Sequence, residues 1–452
     1  MKQIISIIFL LLMLFSCRSD DFGSGSGSGN LVPVTFTVQV RYDSYFGNKQ
    51  SKNAVVTLVN NSSGDTYTAT SGDNGAAVFA TVIPGSYKVT VSKTMPAAEF
   101  LSAFGYPSPV PEVHFNGVQE NVIVNANVTA TSIEIKSARL GDLVIKQVYY
   151  AGSHATQGAS FRDQFIEIYN NSNEVIYADG LFIAQLYGKN NMTVNATSLA
   201  NGQFDWSKSL GMTGGSSANT DYVYADYVLQ VPGSGTQYPI QPGQSLVIAQ
   251  NGSNHKAPLV DNTGVPVTVL NPSLTLDLST ADFEAYLGDF KLSIGDTVYK
   301  YDLQNPAVKD LTIAYWGRTG YWNSNNDFLI DNLGRDSFAI FRMNDFDALP
   351  DYADPTVAVV GTNTRFYKQI PVSVIIDGVE LQHFNPNSQR PKMLGSAVDA
   401  SFINTDAAFN SQSVIRKTKT VLPDGRRILE DTNNSANDFV KLPMANPRGF
   451  AL

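Results

Sequence analysis

The 452-residue chain carries 40 Asp and Glu against 31 Lys and Arg, a formal net charge of −9, with 43% hydrophobic residues and a single cysteine. An acidic chain without a basic tract argues against nucleic acid as a partner, since that binding needs clustered Lys and Arg. One thiol leaves no intramolecular disulfide and no thiolate metal site, and the length suggests about two or three domains with cores large enough to need neither.

The chain opens on Met1-Lys2-Gln3 followed by Ile4 to Phe15, apolar apart from Ser6. A positive start and a short apolar run read as a secretory signal, too short to cross a bilayer core of roughly 20 helical residues. The run closes on Leu14-Phe15-Ser16-Cys17, which resembles the lipobox of bacterial lipoproteins. That resemblance implies a signal peptide over 1–16, cleavage before Cys17 and lipidation of its thiol, with multiple acyl chains giving firm anchoring. Arg18-Ser19-Asp20-Asp21 resembles the acidic export signal that sends Bacteroidetes lipoproteins to the outer face of the outer membrane. Alternating Gly and Ser over Gly23–Gly29 then make 17–30 a flexible tether with a reach on the order of 20 Å.

From there the pattern is β. Period-2 alternation in Val34–Val40, Ala54–Val59 and Tyr87–Val91, punctuated by Gly, Asn, Asp and Pro, predicts an all-β chain of sandwich type. Residues 31–130 form the first expected domain. Asp73-Asn74-Gly75 predicts a tight turn, Phe79 a core position, and Tyr87, Val89 and Val91 one shared strand face. The stretch Ser71–Lys93, "SGDNGAAVFATVIPGSYKVTVSK", resembles the carboxypeptidase-regulatory-like, or transthyretin-like, β-sandwich. In that family such modules are spacers. Leu101–Phe115, aromatic and Pro-rich, is expected to be a packed loop.

The second expected domain covers 137–452. Ile145–Tyr150, Asp163–Asn170 and Val175–Leu181 are followed in order by Ile240–Ala249, Leu333–Arg342 and Val372–Leu381. The close is "RK…DTNNSANDF" within Ser413–Phe450. Together these resemble a lamin-tail-like domain, an immunoglobulin-type sandwich, as found in a Bacteroidetes surface-lipoprotein family of unknown function. The resemblance implies two tandem β-sandwiches, the second carrying insertions at about 188–238, 251–332 and 383–412. Phe165, Ile166 and Ile168 are expected to alternate from edge to core. Asp431 to Asn434 suit Asx turns, and Ser279–Phe290 is the best short helix, capped by Ser279 or Thr280.

No catalytic template fits. Four histidines (His114, His154, His255, His383) make no HExxH, and neither a serine-nucleophile elbow nor a phosphate-cradling glycine loop is present. No catalytic residue, cofactor or metal is therefore assigned. Two constellations remain as binding candidates. Tyr315, Trp316, Arg318, Tyr321 and Trp322 combine aromatic faces with a guanidinium, suited to stacking on a ligand or partner, or to packing as a small core beneath a loop. Asp345, Asp347, Asp351 and Asp354 supply oxygens of the kind that hold Ca²⁺, though at spacings unlike an EF-hand, and a solvated acidic loop is the simpler expectation. The expectation overall is an outer-membrane-anchored, surface-exposed, non-enzymatic binding or docking accessory, with a TonB-dependent nutrient transporter as partner. A structural or adhesive protein is the alternative, and a glycan hydrolase the third reading.

Overall fold

The computed structural model describes residues 32–43, 46–104, 112–137, 143–172, 174–318, 327–422 and 424–451. The first seven strands are β1 (Val34–Tyr42), β2 (Val55–Asn60), β3 (Thr66–Thr70), β4 (Ala76–Val82), β5 (Gly85–Pro96), β6 (Glu112–Val124) and β7 (Ala130–Ile135). They make two sheets, β4-β1-β7 and β3-β2-β5-β6. Alternation delivers one face of each to a shared core, Phe36, Val38 and Val40 meeting Val56, Leu58, Tyr87, Val89 and Val91. Phe79 is buried as expected. At the Asp73–Gly75 turn Gly75 takes φ +75°, and a Cβ there would lie 2.5 Å from the Val40 carbonyl oxygen, so only glycine fits. The expected loop from Leu101 is instead entered by a helix, α1 (Ala97–Phe104), and left by β6. Phe100 and Phe104 of α1 pack on Phe46, with ring centroids 6.0 and 4.8 Å away, because this face caps an open end of the core.

Twenty strands follow: β8 (Leu143–Tyr149), β9 (Phe165–Asn170), β10 (Ile176–Tyr177), β11 (Phe182–Leu186), β12 (Tyr222–Gln230), β13 (Pro239–Ile240), β14 (Ser245–Ala249), β15 (Leu259–Val260), β16 (Pro266–Val267), β17 (Phe283–Glu284), β18 (Lys309–Asp310), β19 (Thr312–Tyr315), β20 (Ser337–Phe341), β21 (Asp351–Tyr352), β22 (Tyr367–Pro371), β23 (Ile375–Val379), β24 (Ser413–Arg416), β25 (Thr418–Val421), β26 (Arg427–Leu429) and β27 (Phe439–Leu442). Three short helices accompany them, α2 (Ser217–Thr220), α3 (Gly288–Ser293) and α4 (Ser435–Asp438). Two larger sheets result: β21-β22-β12-β11-β20-β23, with β19 also on β12, and β18-β17-β14-β9-β8-β24-β27. Between them lies the main core, where Ile145, Ile166, Ile168 and Ile248 meet Ile183, Leu229, Phe338 and Ile340. The architecture is all-β, of sandwich type.

Both large sheets are covered on their outer faces too, and this corrects three expectations. All six residues of β9 are buried, so Phe165, Ile166 and Ile168 do not alternate from an edge. β9 is central, between β14 and β8, with Phe165 facing an outer cluster of Val247, Leu276 and Leu278 while Ile166 and Ile168 face the main core. The expected insertions contribute to those outer layers, Leu276 and Leu278 on one sheet and Leu394 and Val398 on the other. Within one insertion Ser279–Phe290 is not one helix: Asp277 accepts from Ser279 in a turn, Phe283, Ala285 and Leu287 face the main core at period 2, Phe283–Glu284 pair as β17, and the helix begins only at Gly288.

One fully buried guanidinium ties the two sheets together. Arg416 of β24 donates to Asp377 of β23 at 2.7 Å, to Asp438 at 3.2 Å and to the Ile145 and Glu430 carbonyls, while stacking on Phe439. Asp438 also accepts from Thr432, and Asn434 caps α4 by accepting from Ala436, so the 431–434 stretch is a structural turn.

Candidate ligand basin beside a strand bulge

The aromatic candidates divide. Trp316 is 3% exposed, part of the main core and packed at a tilt on Tyr227 with ring centroids 3.9 Å apart. Tyr315 is buried and donates to Asp351 at 3.0 Å; burial and that carboxylate raise its pKa. Arg318 is ion-paired with Asp351 and lies 3.6 Å over the Phe366 ring. These three are packing residues, Tyr315 closing the pairing of β19 on β12 and Trp316 and Arg318 following it in the chain. Tyr321, Trp322 and Cys17 lie outside the described residues. The four aspartates do not converge either. Asp351 is engaged by Arg318 and Tyr315, Asp354 accepts from the Thr356 amide at 2.9 Å, and Asp345 and Asp347 are exposed on a short turn. Among the described residues no group of three or more His, Cys, Asp or Glu can hold a metal ion.

What the packing of Trp316 does is lead to a site the sequence hid. Along β12 the register with β11 runs Ala225↔Leu186 and then Tyr227↔Gln185, skipping Asp226. This bulge flips the strand's parity: Val223 and Ala225 face the outer cluster, whereas Tyr227 and Leu229 face the main core. On its other edge β12 changes partner here, from β22 over 222–225 to β19 over 228–230. Asp226 sits at that fork.

Around the fork a polar group collects. Arg365 donates to the Tyr227 hydroxyl at 2.8 Å and lies 3.8 Å from Asp226. Gln185 donates to Asp336 at 2.9 Å. Burial, and then the charge of Asp336, push the Asp226 carboxyl well up, and burial and then Asp331 push Asp336 up to about 7. Asp226 Oδ1, Gln185 Oε1 and two Arg390 nitrogens have no hydrogen-bond partner among the described residues, a cost that a fold made only for stability avoids.

In front of this group lies an open basin of about 770 Å³, and Arg365 belongs to both. Its wall includes Tyr187, Asn190, Asp354, the 357–364 loop and Tyr367. Tyr187 and Tyr367 stack at 3.6 Å, 9° from parallel, and behind them Trp206 stacks on Tyr224 at 3.6 Å. Neither Asp226 nor Asp336 lines the basin, so the raised carboxyls lie behind Arg365. A visible hint was the third tryptophan, Trp206, upstream of Tyr222 and Tyr224. A second concavity of about 750 Å³ separates the outer face of β5 and β6 from the 430–437 turn. It is spanned by the Glu112–Lys419 ion pair and an Asn116-to-Thr432 hydrogen bond of 3.3 Å. Burial pushes the pKa of its His114 down.

The fold and the basin define the class: an all-β protein of sandwich type with a polar, aromatic-floored depression on one sheet. More particularly, residues 241–445 match DUF4876, a family of proteins of unknown function. A crystal structure of a DUF4876 family protein from Bacteroides thetaiotaomicron VPI-5482 is similar over 90% of this chain and 95% of its own, with TM-score 0.51 and 24% identity. The family likeness thus rests on residues 241–445, and the likeness to the Bacteroides structure is one of fold. Fervidolysin from Fervidobacterium pennivorans, a keratinolytic enzyme related to subtilisin, is matched over 56% of this chain and 33% of its own. Its TM-score is 0.19 and its identity 12%. No curated protein matches the chain.

Proposed function

We propose that this chain is a lipid-anchored protein of the outer-membrane surface that captures a ligand without transforming it and docks on a TonB-dependent transporter. The anchor follows from the Ile4–Phe15 run ending at Cys17, and the tether from Gly23–Gly29. Cys17 is the proposed point of attachment, and among the described residues no helix is long and apolar enough to cross a membrane. The resemblances to a transthyretin-like spacer and a lamin-tail-like domain favour a scaffold that presents a site. The observation that carries the capture reading is the basin, with Arg365 fixed by Tyr227 and the Tyr187–Tyr367 stack beside it. A concave site with a few convergent polar groups is the usual form of a ligand site. The raised carboxyls of Asp226 and Asp336 lie behind Arg365, and the wall carries a single carboxylate, Asp354, already engaged by the Thr356 amide, where hydrolysis would need a facing pair; this favours binding.

Affinity purification from detergent-solubilised native membranes, with a tag at Leu452, tests the docking half. A β-barrel transporter recovered with the chain is the expected result. The chain recovered alone would overturn docking and favour the structural or adhesive reading.

A further inference from the structure

Resting on the capture reading, we infer that the basin takes a neutral oligosaccharide. Its lining has one carboxylate, Asp354, and one guanidinium, Arg365, so it carries no net charge to attract a polyanion or a polycation. Apolar side chains are limited to Val357 and Val359, and Val359 is 80% exposed on the rim rather than set as a pocket for an apolar anchor. The remaining polar side chains, Asn190, Thr362, Asn363 and Thr364, are amides and hydroxyls that both donate and accept, the same dual chemistry a sugar hydroxyl presents. Beside them the half-buried Tyr187, backed by the buried Tyr367 ring stacked against it, supplies the aromatic surface on which the C–H face of a pyranose packs.

The site is also set in advance. Arg365 is held by the Tyr227 hydroxyl, and the loop is tied by the Gly361 amide donating to Thr364 Oγ1 at 2.8 Å and the Thr356 amide donating to Asp354. Donors fixed before binding lose little freedom to a flexible, strongly hydrated ligand. The second concavity lacks this combination. It is lined by Lys88, Lys93, Lys419, Glu112 and His114 with no Phe, Tyr or Trp, and so serves as the internal control.

The test is calorimetric titration of the full lipidated chain in detergent with malto-, cello-, xylo- and manno-hexaose, and with a sulfated oligosaccharide as the anionic probe. The expected result is heat of binding from at least one neutral hexaose and none from the sulfated probe. Asn190→Ala/Asn363→Ala, both exposed positions, should weaken that binding about tenfold or more, while Asn437→Ala in the second concavity leaves it unchanged, all at wild-type Tm. No neutral hexaose binding, or binding kept by the basin variant, overturns the inference. Transporter recovery together with an absence of sugar binding would sink this inference alone and leave docking standing.

Discussion

Asp163 is fully buried beneath Tyr149 and Ser153, whose hydroxyl donates to it at 3.2 Å. Burial pushes its carboxyl from 3.8 up to about 7. The folded chain therefore holds a proton that the unfolded chain gives up at lower pH, so stability falls as pH rises through the window between about 4 and 7 and levels off above it. His255, pushed by burial down to about 4, acts the other way, costing stability as pH falls below its ordinary range. Asp163→Asn removes the first effect and leaves the second. Urea denaturation at pH 5 and pH 8 should show the variant gaining about 2–3 kcal/mol relative to wild type between the two; parallel profiles would refute the assignment. Residue-scale reading of the sequence was uneven in an instructive way. Gly75 and Phe79 were legible because a turn and an alternating strand are local. Trp316 was not, since Tyr227, which it packs against, lies 89 positions away in sequence.

At the scale of elements, most of the strands expected from alternation formed, and those of the second half formed without alternating. β8, β9, β11 and β20 are buried at every position, because the insertions cover both outer faces and a doubly covered strand has no polar side to show. A bulge such as that at Asp226 leaves no period to detect, which is why the basin escaped notice. Arg416 was equally hidden, an ordinary basic residue in "SVIRK" whose partners come from three other segments. Arg416→Ala strands Asp377 and Asp438 in the interior and should cost about 3–5 kcal/mol in urea denaturation. Lys419→Ala, three residues on and 34% exposed in its pair with Glu112, should cost about 0–1 kcal/mol. Equal losses would contradict the claim that Arg416 joins the two sheets.

For the whole molecule, the smaller sandwich keeps a core of its own, Phe36 to Ile135, separate from the main core that begins at Leu143. The larger sandwich spends its extra length on covers and on the loops that shape the basin. The proposed anchor and spacer fit the basin only if the basin is outside the cell, and one labelling measurement addresses that. Thr362 is exposed on the basin loop, and Cys17 is the only native thiol. Intact native cells carrying Thr362→Cys are treated with a membrane-impermeant maleimide, with wild type in parallel. With the Cys17 sulfur in the proposed thioether to lipid, the variant is labelled on intact cells and wild type is not. Labelling of the variant only after lysis, or labelling of wild type at Cys17, would contradict it.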